Sequence, residues 1–113
     1  MNLILIMKII SALATTATGL LVFIKPESAY AFTGLSAPGV RGISELRAIF
    51  GGLFIALGLV PFWLGTPAYL MLGIGYLTIA AARAFSIVYD KSYERSNIIS
   101  LVIEIVCGVF LVM

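Results

Sequence analysis

The chain has 113 residues, 62% of them hydrophobic and 11% charged, with a mean hydropathy of +1.17. Soluble domains carry roughly 25% charged residues, so this composition excludes a water-soluble globule and the length allows a single domain. The net charge of +2, with no basic run, excludes nucleic acid as a partner. One cysteine, Cys107, excludes an intrachain disulfide, and the absence of histidine removes the usual ligands for haem, copper and zinc. No cofactor or metal site is expected.

Four apolar segments follow one another: about 3–24, 45–64, 68–89 and 97–113. Each approaches the roughly 20 residues that cross a bilayer as a helix, and none alternates as a barrel strand would. The predicted fold is all-α, an integral membrane four-helix bundle. In the first segment Ser11, Thr15 and Thr18 follow helical spacing, with Lys8 one turn away. Ala29-Tyr30-Ala31 has the A-x-A form that signal peptidase cuts. The intervening Lys25 and Pro26, and an apolar run longer than a signal h-region, favour a retained helix. The connection 25–44 is long for a bundle. Gly34, Pro38, Gly39 and Gly42 break helix there, while Tyr30, Phe32 and Leu35 predict a short interfacial turn.

In the second segment Ser44 is placed to cap the helix, with Glu45 at its positive dipole end. On a regular helix Glu45, Ala48, Gly52 and Ala56 share one face, and their small side chains predict a close helix contact. Arg47, Gly51 and Gly58 line an adjoining face. In the third segment Gly73, Tyr76, Ala80, Arg83, Ile87 and Asp90 share a face; in the fourth Asn97, Ser100, Glu104 and Gly108 do, with Cys107 beside them.

Arg83 lies seven residues before Asp90, and Glu104 seven after Asn97, so both sit about 10 Å from the connecting loop 90–96. Either charge buried alone costs several kcal/mol, which predicts that they pair. Glu45 and Arg47 are expected to join Arg83 and Glu104 in a neutral polar centre, with Arg41 and Asp90 at its mouth. The basic residues of loops 25–44 and 90–96 place those loops in the cytoplasm and both termini outside.

Three motifs resemble those of a known family. They are Gly-x-Arg-Gly-x-x-Glu-x-Arg-Ala-x-x-Gly-Gly over 39–52, Arg83 followed by Asp90, and the mid-membrane Glu104. The chain is similar to a bacterial family of small four-helix membrane proteins, a domain of unknown function close to the DoxX-like group. The resemblance implies a bacterial inner membrane and no established activity. Three functional readings follow from the charges. The leading one is a non-enzymatic binding or accessory module, whose Arg/Glu centre holds a small amphiphile or fixes helix packing. Its expected partners are membrane lipid and a homo-oligomer or larger membrane complex. The alternatives are an oligomeric transporter or channel for protons or a small anion and, last, a lipid-directed membrane enzyme using Glu104 or Glu45.

Overall fold

The computed structural model describes residues 2–113, so the N-terminal amino group lies outside the described part. The described chain forms no strand. Five helices account for its regular structure: α1 (Leu3–Ile24), α2 (Ala29–Thr33), α3 (Val40–Leu64), α4 (Thr66–Tyr89) and α5 (Arg95–Val112). All but α2 are long and apolar enough to cross a membrane. The first apolar segment matches α1 at both ends, and α4 and α5 each begin two residues before their predicted starts.

Local chemistry sets the ends. Asn2 Oδ1 accepts from the Leu5 N–H at 2.8 Å and caps α1. Gly65 adopts φ 74° to make the α3–α4 turn, which a side chain would strain, and Pro67 follows in the first turn of α4. Lys91, at φ 57°, turns the chain after α4. The 25–44 connection is ordered: Pro26–Ser28 form a 3₁₀ turn, and α2 ends at Gly34, whose φ is 73°.

Two expectations fail at the start of α3. The helix begins at Val40 with Gly39 as its cap, so Ser44 lies inside the helix and caps nothing. Gly42 does not break it either. A Cβ there would lie 2.9 Å from Ala37 Cβ, so this glycine lets the loop lie against the helix. Residues Leu46–Leu53 then take the wider π-helical turn, which uses more residues per turn than the α-helix. The two faces that a 3.6-residue period assigns nevertheless persist across it, but the opposite one turns inward. Glu45, Ala48, Gly52 and Ala56 all end up exposed, and the close contact forms through Gly51 and Gly58 instead. Added Cβ atoms would lie 2.6 Å from the Ala12 carbonyl at Gly58 and 3.0 Å from Phe23 Cα at Gly51; at Gly19 of α1 one would lie 2.7 Å from the Ile55 nitrogen. The backbones of α1 and α3 therefore touch along most of their shared length.

The bundle is flattened, 44 × 32 × 17 Å. α3 packs on α1, α1 on α5, and α5 on α4, whereas α4 meets α3 mainly around their turn. Near that turn Ala12, Tyr69, Leu72 and Leu111 form one apolar cluster, joined by Leu57 of α3. At the other end a second cluster, Val22, Ala29 and Leu46, ties α2 and α3 to α1. Eleven of the 12 charged residues, all except Lys8, belong to this second end.

Candidate functional site

The hairpin of α4 and α5 carries the central ion pair. Arg83 stands six residues before the end of α4, about 9 Å inside it. Asn97 and Glu104 lie two turns apart on one face of α5 and bracket the guanidinium. Arg83 Nε donates to Glu104 Oε1 and Nη2 to Oε2, both at 2.7 Å, while Nη1 donates to Asn97 Oδ1 at 2.8 Å. This is the planar two-point match that favours arginine over lysine. Asn97 Nδ2 in turn donates to the Ser92 carbonyl at 3.2 Å and the Ser92 hydroxyl at 3.0 Å, which ties the network to the loop. Glu104 is buried among Arg83 and neighbouring side chains, and both of its oxygens are occupied.

The other predicted members stand elsewhere. Arg41 pairs with Glu45 one turn along α3, on an exposed face. Arg47 Nη1 donates to the Phe23 carbonyl at 2.6 Å, satisfying one of the four carbonyls that the end of α1 leaves without partners. Asp90 accepts from the Ser86 hydroxyl at 2.6 Å on the surface of the α4 end. The expected four-charge centre thus reduces to Arg83, Glu104 and Asn97. Glu45 lies on the exposed face of α3 and Arg47 reaches α1, and α3 meets α4 mainly around their turn, so neither faces the ion pair.

The hydroxyls of α1 do not extend the site. Ser11 donates to the Met7 carbonyl, Thr15 to Ser11 and Thr16 to Ala12, at 2.8, 2.8 and 3.0 Å. Thr15 Oγ1 also bonds the Tyr76 hydroxyl across the bundle. With the Thr15 proton on the Ser11 carbonyl, Tyr76 is the donor in that bond. A chain of hydroxyls running Tyr76 to Thr15 ends on a backbone carbonyl, which has no proton to pass on. Tyr76 was placed on the correct face by periodicity, but its partner on α1 was not legible, since no sequence rule pairs residues 61 positions apart. No buried side-chain nitrogen or oxygen among the described residues lacks a hydrogen-bond partner.

Outside the charged end, α3 and α4 enclose an apolar cleft of about 320 Å³ lined by Ala56, Val60, Leu64, Ala68 and Met71 among others. A second cleft, about 400 Å³, lies between the 35–37 loop and the first turns of α3, with Glu45 at its edge. Neither contains Arg83 or Glu104.

Four apolar helices of spanning length, two of them joined by an ion pair, define a small multi-pass membrane protein. The chain belongs to the family described as Domain of unknown function (DUF4345), which it matches over residues 3–113. No curated protein and no solved structure matches it.

Proposed function

We propose that the protein is a non-enzymatic membrane module, an accessory or binding subunit, in which the Arg83–Glu104–Asn97 network fixes the α4–α5 hairpin. The closure of that network carries the reading. Each carboxylate oxygen accepts from the same guanidinium, and no further side-chain donor among the described residues bonds either one. A general acid or a proton carrier needs a carboxyl that can exchange its proton with a substrate or with water. This one exchanges bonds only with its partner helix. The two clefts, both away from this pair, are largely apolar, as surfaces for lipid tails or partner helices are.

The membrane is the inner membrane of a bacterium, with the charged end cytoplasmic. The supporting observation is the distribution of basic residues, because Lys25, Arg41, Arg47, Arg83, Lys91 and Arg95 gather at one end and only Lys8 lies in the other half. The relation to the DoxX-like group belongs to the same proposal and rests on the 39–52 block and on Glu104.

Flux measurements test the functional reading. The wild-type protein reconstituted in liposomes is expected to conduct protons and small anions no faster than empty vesicles. A pH-dependent flux abolished by Glu104→Gln in a folded protein would replace this reading with transport.

A further inference from the structure

Loop 90–96, between α4 and α5, is built around one serine that uses all of its polar groups. The Ser92 backbone N–H donates to the Ile87 carbonyl near the end of α4 at 3.1 Å. Its carbonyl and its hydroxyl oxygen both accept from Asn97 Nδ2, in the first turn of α5. Its hydroxyl proton goes to Glu94 Oε2. A single residue therefore staples the two helices just outside the ion pair.

The direction of every bond in this run is forced. A guanidinium only donates, so Asn97 must turn Oδ1 toward Arg83 Nη1. Its Nδ2 then points at Ser92, where its two N–H groups meet the carbonyl and the hydroxyl oxygen. Because that oxygen accepts, its own proton points away, toward the Glu94 carboxylate. Arg83, Asn97, Ser92 and Glu94 thus donate in one direction, from inside the span to an exposed acid. Hydrogen bonds aligned in this way polarise and strengthen one another. Without Ser92 the Asn97 amide is free to flip, and its NH₂ group would then face the guanidinium, donor against donor.

The backbone beside Ser92 is a second, independent observation. Lys91 takes φ 57°, a left-handed conformation that residues with a Cβ rarely adopt. This turn returns the Ser92 N–H to Ile87 and leaves its carbonyl for Asn97. Lys91, Tyr93, Glu94 and Arg95 are all exposed, while Ser92 among them is partly covered.

We propose that loop 90–96 is a latch through which movement at the membrane surface regulates the intramembrane ion pair. With the loop closed, Ser92 holds Asn97, Asn97 holds Nη1, and the guanidinium is fixed at three points. Drawing the loop off α5 releases Asn97 and leaves Arg83 held by Glu104 alone. The inference rests on the reading of the pair as the lock of the α4–α5 hairpin, and adds how that lock is loosened from outside.

The test follows hydrogen exchange of the Asn97 and Arg83 side-chain N–H groups by NMR of the nitrogen-labelled protein in bilayers. Arg83–Glu104 nitrogen–carbon recoupling is measured in the same samples. Ser92→Ala is expected to speed Asn97 Nδ2 exchange about fivefold, the worth of one neutral hydrogen bond, with Arg83 Nη1 following. Ser92→Thr keeps the hydroxyl and is expected to exchange as the wild type does. Lys91→Val alters no group in the run but disfavours the left-handed turn, and is expected to speed exchange at both residues. Lys91→Asn, which tolerates that conformation, is expected to leave both unchanged. Unchanged Asn97 exchange in Ser92→Ala, or unchanged Arg83 exchange in Lys91→Val, overturns the proposal. Recoupling separates the two ideas: its absence in the wild type fails the lock, whereas intact recoupling with unmoved exchange fails the latch alone.

Discussion

Removing one partner of the Arg83–Glu104 pair has an effect that the geometry makes large. Glu104→Gln leaves the guanidinium without its counter-charge and replaces two 2.7 Å charge-assisted bonds by at most one neutral acceptor. Breaking a buried pair on one side costs about 3–5 kcal/mol. Because Arg83 is 30% exposed and keeps Asn97, the loss belongs at the lower end, about 3 kcal/mol. Arg83→Gln is the more damaging change, about 4 kcal/mol, since the stranded carboxylate is the better buried partner. The double variant leaves two neutral amides able to bond each other, and its net loss is expected to be about 1 kcal/mol. The assay is reversible unfolding in mixed detergent–SDS micelles, followed by far-UV circular dichroism, for all four proteins. A coupling of several kcal/mol between the two sites is expected. Single losses that simply add in the double variant would refute the claim that these residues hold the hairpin.

Other positions give smaller and distinct effects. Gly58→Ala would put a Cβ 2.1 Å from Thr16 Oγ1 and 2.6 Å from the Ala12 carbonyl, and is expected to cost about 2 kcal/mol in the same unfolding assay by forcing α3 from α1. Gly52→Ala, whose Cβ would meet only the Arg47 carbonyl at 3.8 Å, is expected to be neutral or mildly stabilising there. Arg47→Met leaves the Phe23 carbonyl unpaired and is expected to cost about 1–2 kcal/mol, with faster hydrogen exchange confined to the last turn of α1. The Ser92 hydroxyl donates to Glu94, and this bond, with the residue's own backbone N–H, holds the exposed Glu94 carboxyl below its ordinary pKa. A depressed folded value means that the contribution is present above the unfolded pKa and disappears as pH falls through the folded one. Carboxyl NMR titration is expected to show the Glu94 midpoint rising in Ser92→Ala; an unchanged midpoint would reject the assignment.

The parts of the fold that depend on composition were legible in the residues. The apolar run that becomes α1 stops just short of Pro26, a boundary readable in the letters. Arg83 and Glu104 were legible as partners because a short loop joins their helices and each lies at a similar distance from it. Glu45 and Arg47 were misplaced for a definite reason. Periodicity sorted α3 into the right faces, Glu45 with Gly52 and Arg47 with Gly51, but it does not say which face turns inward. The glycines of this helix were legible as packing residues, but which of the adjacent pair meets α1 depends on which face turns inward. Gly51 does, and Gly52 does not. The role of Gly42 was equally hidden, because a helix-breaking residue and a close-approach residue are the same letter.

The central claim is that one guanidinium and one carboxylate meet between α4 and α5 inside the span. Solid-state NMR of the protein in bilayers, with labelled arginine nitrogens and glutamate carboxyl carbons, measures that contact directly. Strong nitrogen–carbon recoupling is predicted for the Arg83 side chain, as its two 2.7 Å bonds to Glu104 require. The signal should survive Glu45→Gln and vanish in Glu104→Gln. An Arg83 side chain that shows no recoupling in the folded wild-type protein would contradict the account.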